Sequence, residues 1–125
     1  MKITTTVDIP DRRIADLLCT AFEGGVGYWC VIIGYEEPKE IRSILEESRV
    51  VKYTDYPLTG GSVRCTTTDD DTKILLLDGY AIRRGLVRMA KKYQTHFVNF
   101  LSENEDAETG DVFLQCCFFE ELVYG

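Results

Sequence analysis

The first apolar stripe along the chain is helical. Ile14, Leu17, Leu18, Ala21 and Phe22 recur at i, i+3, i+4, i+7 and i+8, the spacing that gathers apolar side chains on one side of an α-helix. Pro10 suits a first turn, Asp8 and Asp11 sit where the positive helix end favours acids, and Gly24-Gly25 supplies a stop. A helix over Pro10–Glu23 is expected. The period then changes. Val26 to Gly34 (VGYWCVIIG) is apolar on both alternating faces, with Tyr28, Cys30 and Ile32 on one side and Trp29, Val31 and Ile33 on the other. That pattern predicts a central strand covered on both sides.

Glu36 to Ser48 supports two readings, a short helix after Pro38 with Ile41, Ile44 and Leu45 on one side, or a polar excursion. Three further strands are expected over Val50–Tyr56, Ser62–Thr68 and Thr72–Leu77. Asp69-Asp70-Asp71 makes the last two a hairpin. The final third reads as helical. Asp78 can cap a helix reaching about Tyr93 with Ile82, Leu86, Met89 and Ala90 inward. Thr95 can cap a second carrying Phe97, Phe100 and Leu101, and Asp106 a third from Ala107 to about Phe118. Gly110 inside that third helix costs roughly 1 kcal/mol against Ala, so a neighbouring element should approach closely there. Leu122–Tyr124 can close the fold as a short edge strand. The expected class is a single α+β domain over residues 1–125, an antiparallel sheet of about four strands packed by an N-terminal helix and three C-terminal helices.

Composition narrows the setting. Five cysteines without a C-x-x-C, beside one histidine, match neither a disulfide framework nor a zinc knuckle. Cys19, Cys30 and Cys65 fall at expected core positions, and a reducing cytoplasm is the simplest compartment. No apolar run is long enough for a membrane span, and the start does not read as a leader. A net charge of −7 disfavours direct DNA or RNA binding.

Candidate chemistry is sparse. The chain has no phosphate-loop, dinucleotide, nucleophile-elbow or zincin motif. A calcium loop begun at Asn104 fails twice, with glycine at position 7 and Gln115 at position 12. His96 is the sole imidazole, so a cysteine-dependent enzyme would need a thiol beside it. No catalytic residue, cofactor or metal is expected. The charge layout is more informative. Between Gly79 and Ser102 lie five cations and no acid, and Arg84, Arg88, Lys91 and Lys92 share one helix face. That face could hold a phosphate or an acidic partner, with Trp29 stacking on a base, or simply be solvated. Glu105, Asp106 and Glu108 belong to a segment with five carboxylates in nine residues. They read either as helix-start acids or as an acidic partner surface.

Two stretches resemble small phage and prophage proteins of uncharacterised function. These are IADLLCTAFEGGVGYW (Ile14–Trp29) and the tail from Gly85 to Gly125, with AETGDVFLQ followed by a VYG ending as the specific mark. The resemblance implies a bacterial host cytoplasm and a mobile-element genome, and it brings no catalytic residues. It further implies a stoichiometric accessory protein, a counter-defence inhibitor of a host protein complex. The alternative is a binder that sequesters a phosphate-bearing nucleotide signal.

Overall fold

The computed structural model describes residues 1–38 and 52–125. Helix α1 spans Asp11–Thr20 and runs into a π turn over Ala21–Gly25. Strand β1 (Cys30–Glu36) follows, then a 3-10 helix over Tyr53–Leu58. Strands β2 (Ser62–Thr67) and β3 (Asp70–Leu77) form a hairpin. Three helices complete the chain: α2 (Gly79–Lys92), α3 (Gln94–Leu101) and α4 (Ala107–Phe119). The fold is α+β, with a three-stranded antiparallel sheet in the order β1-β2-β3.

Helix starts follow their caps. Asp78 Oδ1 accepts the Ala81 backbone N–H at 2.9 Å, and Asp106 Oδ1 accepts that of Thr109 at 2.9 Å, satisfying donors that a helix start leaves orphaned. Thr95, by contrast, caps nothing. Helix α3 begins two residues earlier, behind Tyr93, whose own N–H still bonds Met89 O.

Among the described residues the sheet departs from expectation in number and cover. Cys30 is where β1 begins, because Val26 N–H turns back onto Ala21 O and Cys30 N–H onto Val26 O. The strand is an edge rather than the centre, and its Val31 and Ile33 are exposed. The central place goes to β2. The expected strand over Val50–Tyr56 is a 3-10 helix from Tyr53, with residues 50 and 51 outside the described set. Here Asp55 Oδ2 accepts the Lys52 N–H at 2.9 Å and Pro57 sits inside the turn, which curls the chain and denies it a ladder donor. The possible helix over 36–48 lies largely outside the described residues. In the hairpin the turn is Thr68-Asp69, with Asp70 already paired to Thr67.

Sheet and helices meet over one core. Trp29, Val63, Cys65, Leu77, Met89, Phe100, Phe113 and Leu114 are all fully or almost fully buried. Two glycines set the helix spacing. A Cβ on Gly85 would stand 2.9 Å from Cys117 N, so α2 crosses α4 at van der Waals contact. A Cβ on Gly110 would meet Ala21 Cα at 2.8 Å, the close approach expected from sequence.

Leu122–Tyr124 form no strand. A buried side chain holds them instead. Gln115 Oε1 accepts Val123 N–H (2.8 Å) and Tyr124 N–H (2.9 Å), while Gln115 Nε2 donates to Tyr124 O (3.1 Å) and Asp111 Oδ1 (2.9 Å). Asp111 also accepts from Tyr28 Oη and, at 2.7 Å, from Trp29 Nε1. Tyr124 then stacks on Trp29, ring centroids 5.2 Å apart and planes within 4°. The segment Ile14–Trp29 and the chain's C-terminal stretch therefore meet in space.

Candidate binding surface on helix α2

The cation-rich helix presents a stripe to solvent. Tyr80, Arg83, Arg84, Val87 and Lys91 are spaced i, i+3, i+4, i+7 and i+11, one face of α2. With Arg88 and Glu120 they line a shallow concavity of about 360 Å³. Two of its cations are already engaged. Arg84 donates from Nε (3.2 Å) and Nη2 (2.7 Å) to Cys117 O, a carbonyl in the last turn of α4. Arg88 Nη2 lies 4.0 Å from Glu120 Oε1. Arg83 and Lys91 are exposed and have no ion-pair partner among the described residues. Lys92, grouped with them by spacing, points elsewhere and rests its ammonium 5.8 Å above the Tyr93 ring.

A larger groove of about 890 Å³ adjoins this concavity and shares Arg83, Val87 and Lys91 with it. Its floor is aliphatic, made by Ile82, Leu86 and Ala90 of α2, with Phe97 of α3 at one end. Pro57 and Leu58 form one wall, and the N-terminal arm adds Thr5, Thr6, Val7 and Ile9. The arm has no regular secondary structure, is exposed as far as Asp8, and makes no backbone hydrogen bond to another described residue as far as Ile9. Six of the seven residues from Ile3 to Ile9 are β-branched, which favours extension over helix.

The other sequence candidates are drawn into the framework. Trp29 is fully buried with Tyr124 across one face, so no base can stack on it while the tail is docked. The aromatic available beside the cations is Tyr80, 84% exposed. The sequence reading counted Arg83 among the five cations but left it off the face, and passed over Tyr80, although the i, i+3, i+7, i+11 stripe was a usable signal. In the acidic segment, Glu105 grips Arg13 through both oxygens (2.8 and 3.1 Å), while Arg13 also donates to Phe100 O at 2.7 Å. Burial alone would push the Glu105 carboxyl up; the Arg13 hydrogen bonds, its own backbone N–H and the Arg13 charge together hold it below the ordinary value. Asp106 lies low because it accepts the Thr109 N–H. Glu108 is exposed, with Oε1 3.9 Å from His96 Nε2.

The imidazole faces a hydroxyl and a carboxylate rather than a thiol. His96 Nδ1 lies 3.0 Å from Thr109 Oγ1 and Nε2 3.9 Å from Glu108, with no thiol among its contacts. Burial pushes the Cys116 thiol up to about 11 and raises Cys117 as well. Cys65 is raised by its hydrogen bond with Cys30, then by burial. Among these, thiolate is scarce near neutral pH. Cys19 is half-buried, Sγ 3.4 Å from Thr54 Oγ1. Among the described residues no three His, Cys, Asp or Glu side chains converge to hold a metal ion, and no helix is long and apolar enough to cross a membrane.

No protein-family model, no curated protein and no solved structure matches the chain.

Proposed function

We propose that this chain works stoichiometrically, by binding a protein partner through the outward face of α2. One observation carries the reading: the cation stripe and the aliphatic groove share Arg83, Val87 and Lys91. A single partner surface can therefore bury apolar side chains and pair carboxylates at once, the combination that gives an interface both affinity and orientation. The acidic segment serves this reading less well, because Glu105 and Asp106 are occupied inside the fold.

The phage and prophage resemblance supplies the setting. It makes the partner a host protein complex in the bacterial cytoplasm and the effect an inhibition of host defence. The test is capture from host lysate by the tagged chain beside its Arg83→Glu/Lys91→Glu variant. Both residues are exposed, so the variant should keep the wild-type unfolding midpoint while losing the captured protein. Equal capture by both chains removes the α2 reading.

A second reading has its own observation. Tyr80 stands exposed beside Arg83, Arg84 and Arg88, an aromatic face next to phosphate-seeking groups. A nucleotide binder of this kind would be stabilised by roughly 2.7 kcal/mol at ligand 100-fold above its Kd. A thermal-shift panel of linear and cyclic nucleotides that moves no midpoint disposes of it.

A further inference from the structure

The groove beside Arg83 and Lys91 has a shape that selects among protein partners. We propose that it takes an acidic amphipathic α-helix of about three turns, an inference that rests on the α2 binding reading and gives its partner a chemistry.

Length sets the first constraint. The α2 residues lining the groove run from Gly79 to Lys91. Twelve residues of helix rise roughly 18 Å, the length of a little over three helical turns. The surface relief sets the second. Leu86 and Ala90, half-buried at i and i+4 beside the core residue Ile82, give the apolar relief against which a facing helix packs.

Charge sets the third, and it is one-sided. Arg83 and Lys91 stand eight residues apart on a single lip, roughly 12 Å along the axis. The arm contributes the uncharged Thr5 and Thr6, and the remaining charged lining residue is Asp11. A complementary helix therefore carries two carboxylates seven or eight residues apart along one flank, with no acid beside Asp11. An extended peptide fits less well. Its available backbone neighbour is the arm, and two strands without a sheet are marginal in water. A second copy of the chain offers no such helix among its described residues: the apolar stripe of α1 and most of α4 are buried in its own core, and α2 and α3 carry no acid.

The experiment uses the full chain against a display library of helical peptides with randomised surface positions. Nucleotides and pyrophosphate are measured in parallel by thermal shift. Enriched peptides should show apolar residues at three- and four-residue spacing and Asp or Glu seven or eight apart. A synthesised winner, read by fluorescence anisotropy, should lose roughly tenfold in affinity on Arg83→Glu/Lys91→Glu. It should lose as much on Leu86→Glu, with Arg83→Ala/Lys91→Ala as a gentler pair should any variant unfold. Ile74→Ala, on the exposed sheet face, should leave it unchanged. Winners without the acidic spacing, or indifferent to the Arg83/Lys91 changes, overturn the helix. Phosphate compounds binding where peptides do not would sink the helix yet keep α2 as a binding surface. Silence in both arms removes both.

Discussion

Replacing Gln115 with leucine should release the C-terminal tail and uncover Trp29. Leucine matches glutamine closely in volume, so the packing loss is small and the polar loss is isolated. Four hydrogen bonds disappear: two accepted from Val123 and Tyr124 N–H and two donated to Tyr124 O and Asp111. At about 1 kcal/mol net each, the ceiling is about 4 kcal/mol. Tail groups that swing into water recover part of it. Loss of the Tyr124–Trp29 stack takes back about 1 kcal/mol. The expected destabilisation is roughly 2–4 kcal/mol. The chain has a single tryptophan, so urea unfolding followed by its fluorescence reads stability and tail position together. Native emission should shift to the red as water reaches the indole. Tyr124→Ala should cost less than Gln115→Leu, and the double variant less than the sum. A Gln115→Leu protein within about 0.5 kcal/mol of wild type, its emission unmoved, would refute the tail lock.

The remaining predictions test other contacts. Gly85→Ala gains about 1 kcal/mol of helix propensity, but its Cβ would stand 2.9 Å from Cys117 N. Net destabilisation of roughly 2 kcal/mol is expected by denaturant titration, and a more stable protein would show that α2 and α4 do not touch there. Alkylation of the native chain near neutral pH should consume one thiol readily, at Cys19, with the four buried cysteines reacting only after unfolding; two or more fast equivalents contradict the packing. In an alkaline titration Tyr28 and Tyr53 should ionise late, both pushed up to about 12 by burial, with Asp111 adding to the shift at Tyr28. A raised phenol favours the protonated form in the fold, so its stabilisation is complete below pH 10 and declines between about 10 and 12. Urea midpoints that stay flat across that window would argue against it.

Much of the helical layer was readable because its signals are local. Asp78 and Asp106 announced two starts, and the stripe from Ile14 to Phe22 announced a third. Gly110 announced its close neighbour. The sheet was harder because strand order is decided across the chain. The run VGYWCVIIG is apolar enough for a central strand, yet β2 took the centre and left Val31 and Ile33 facing water. Tyr53–Leu58 carried strand-forming tyrosines, but an Asp55 side-chain bond and Pro57 curled it. The binding surface was half legible. The cations of α2 were visible as a charge run. Which were free, however, depended on Cys117 O and Glu120, residues from the far end of the chain that engage Arg84 and Arg88. The groove beside them joins residues from 5 to 97 and leaves no pattern in any one segment.

The central claim is that a partner is held on the α2 face. A photocrosslinking amino acid at Val87, on the shared rim, compared with one at Ile74, on the exposed sheet face, tests it inside the cell that carries the chain. The account predicts a discrete adduct of fixed mass from position 87 and none from position 74. An adduct formed only from position 74 would place the partner on the sheet face and contradict it.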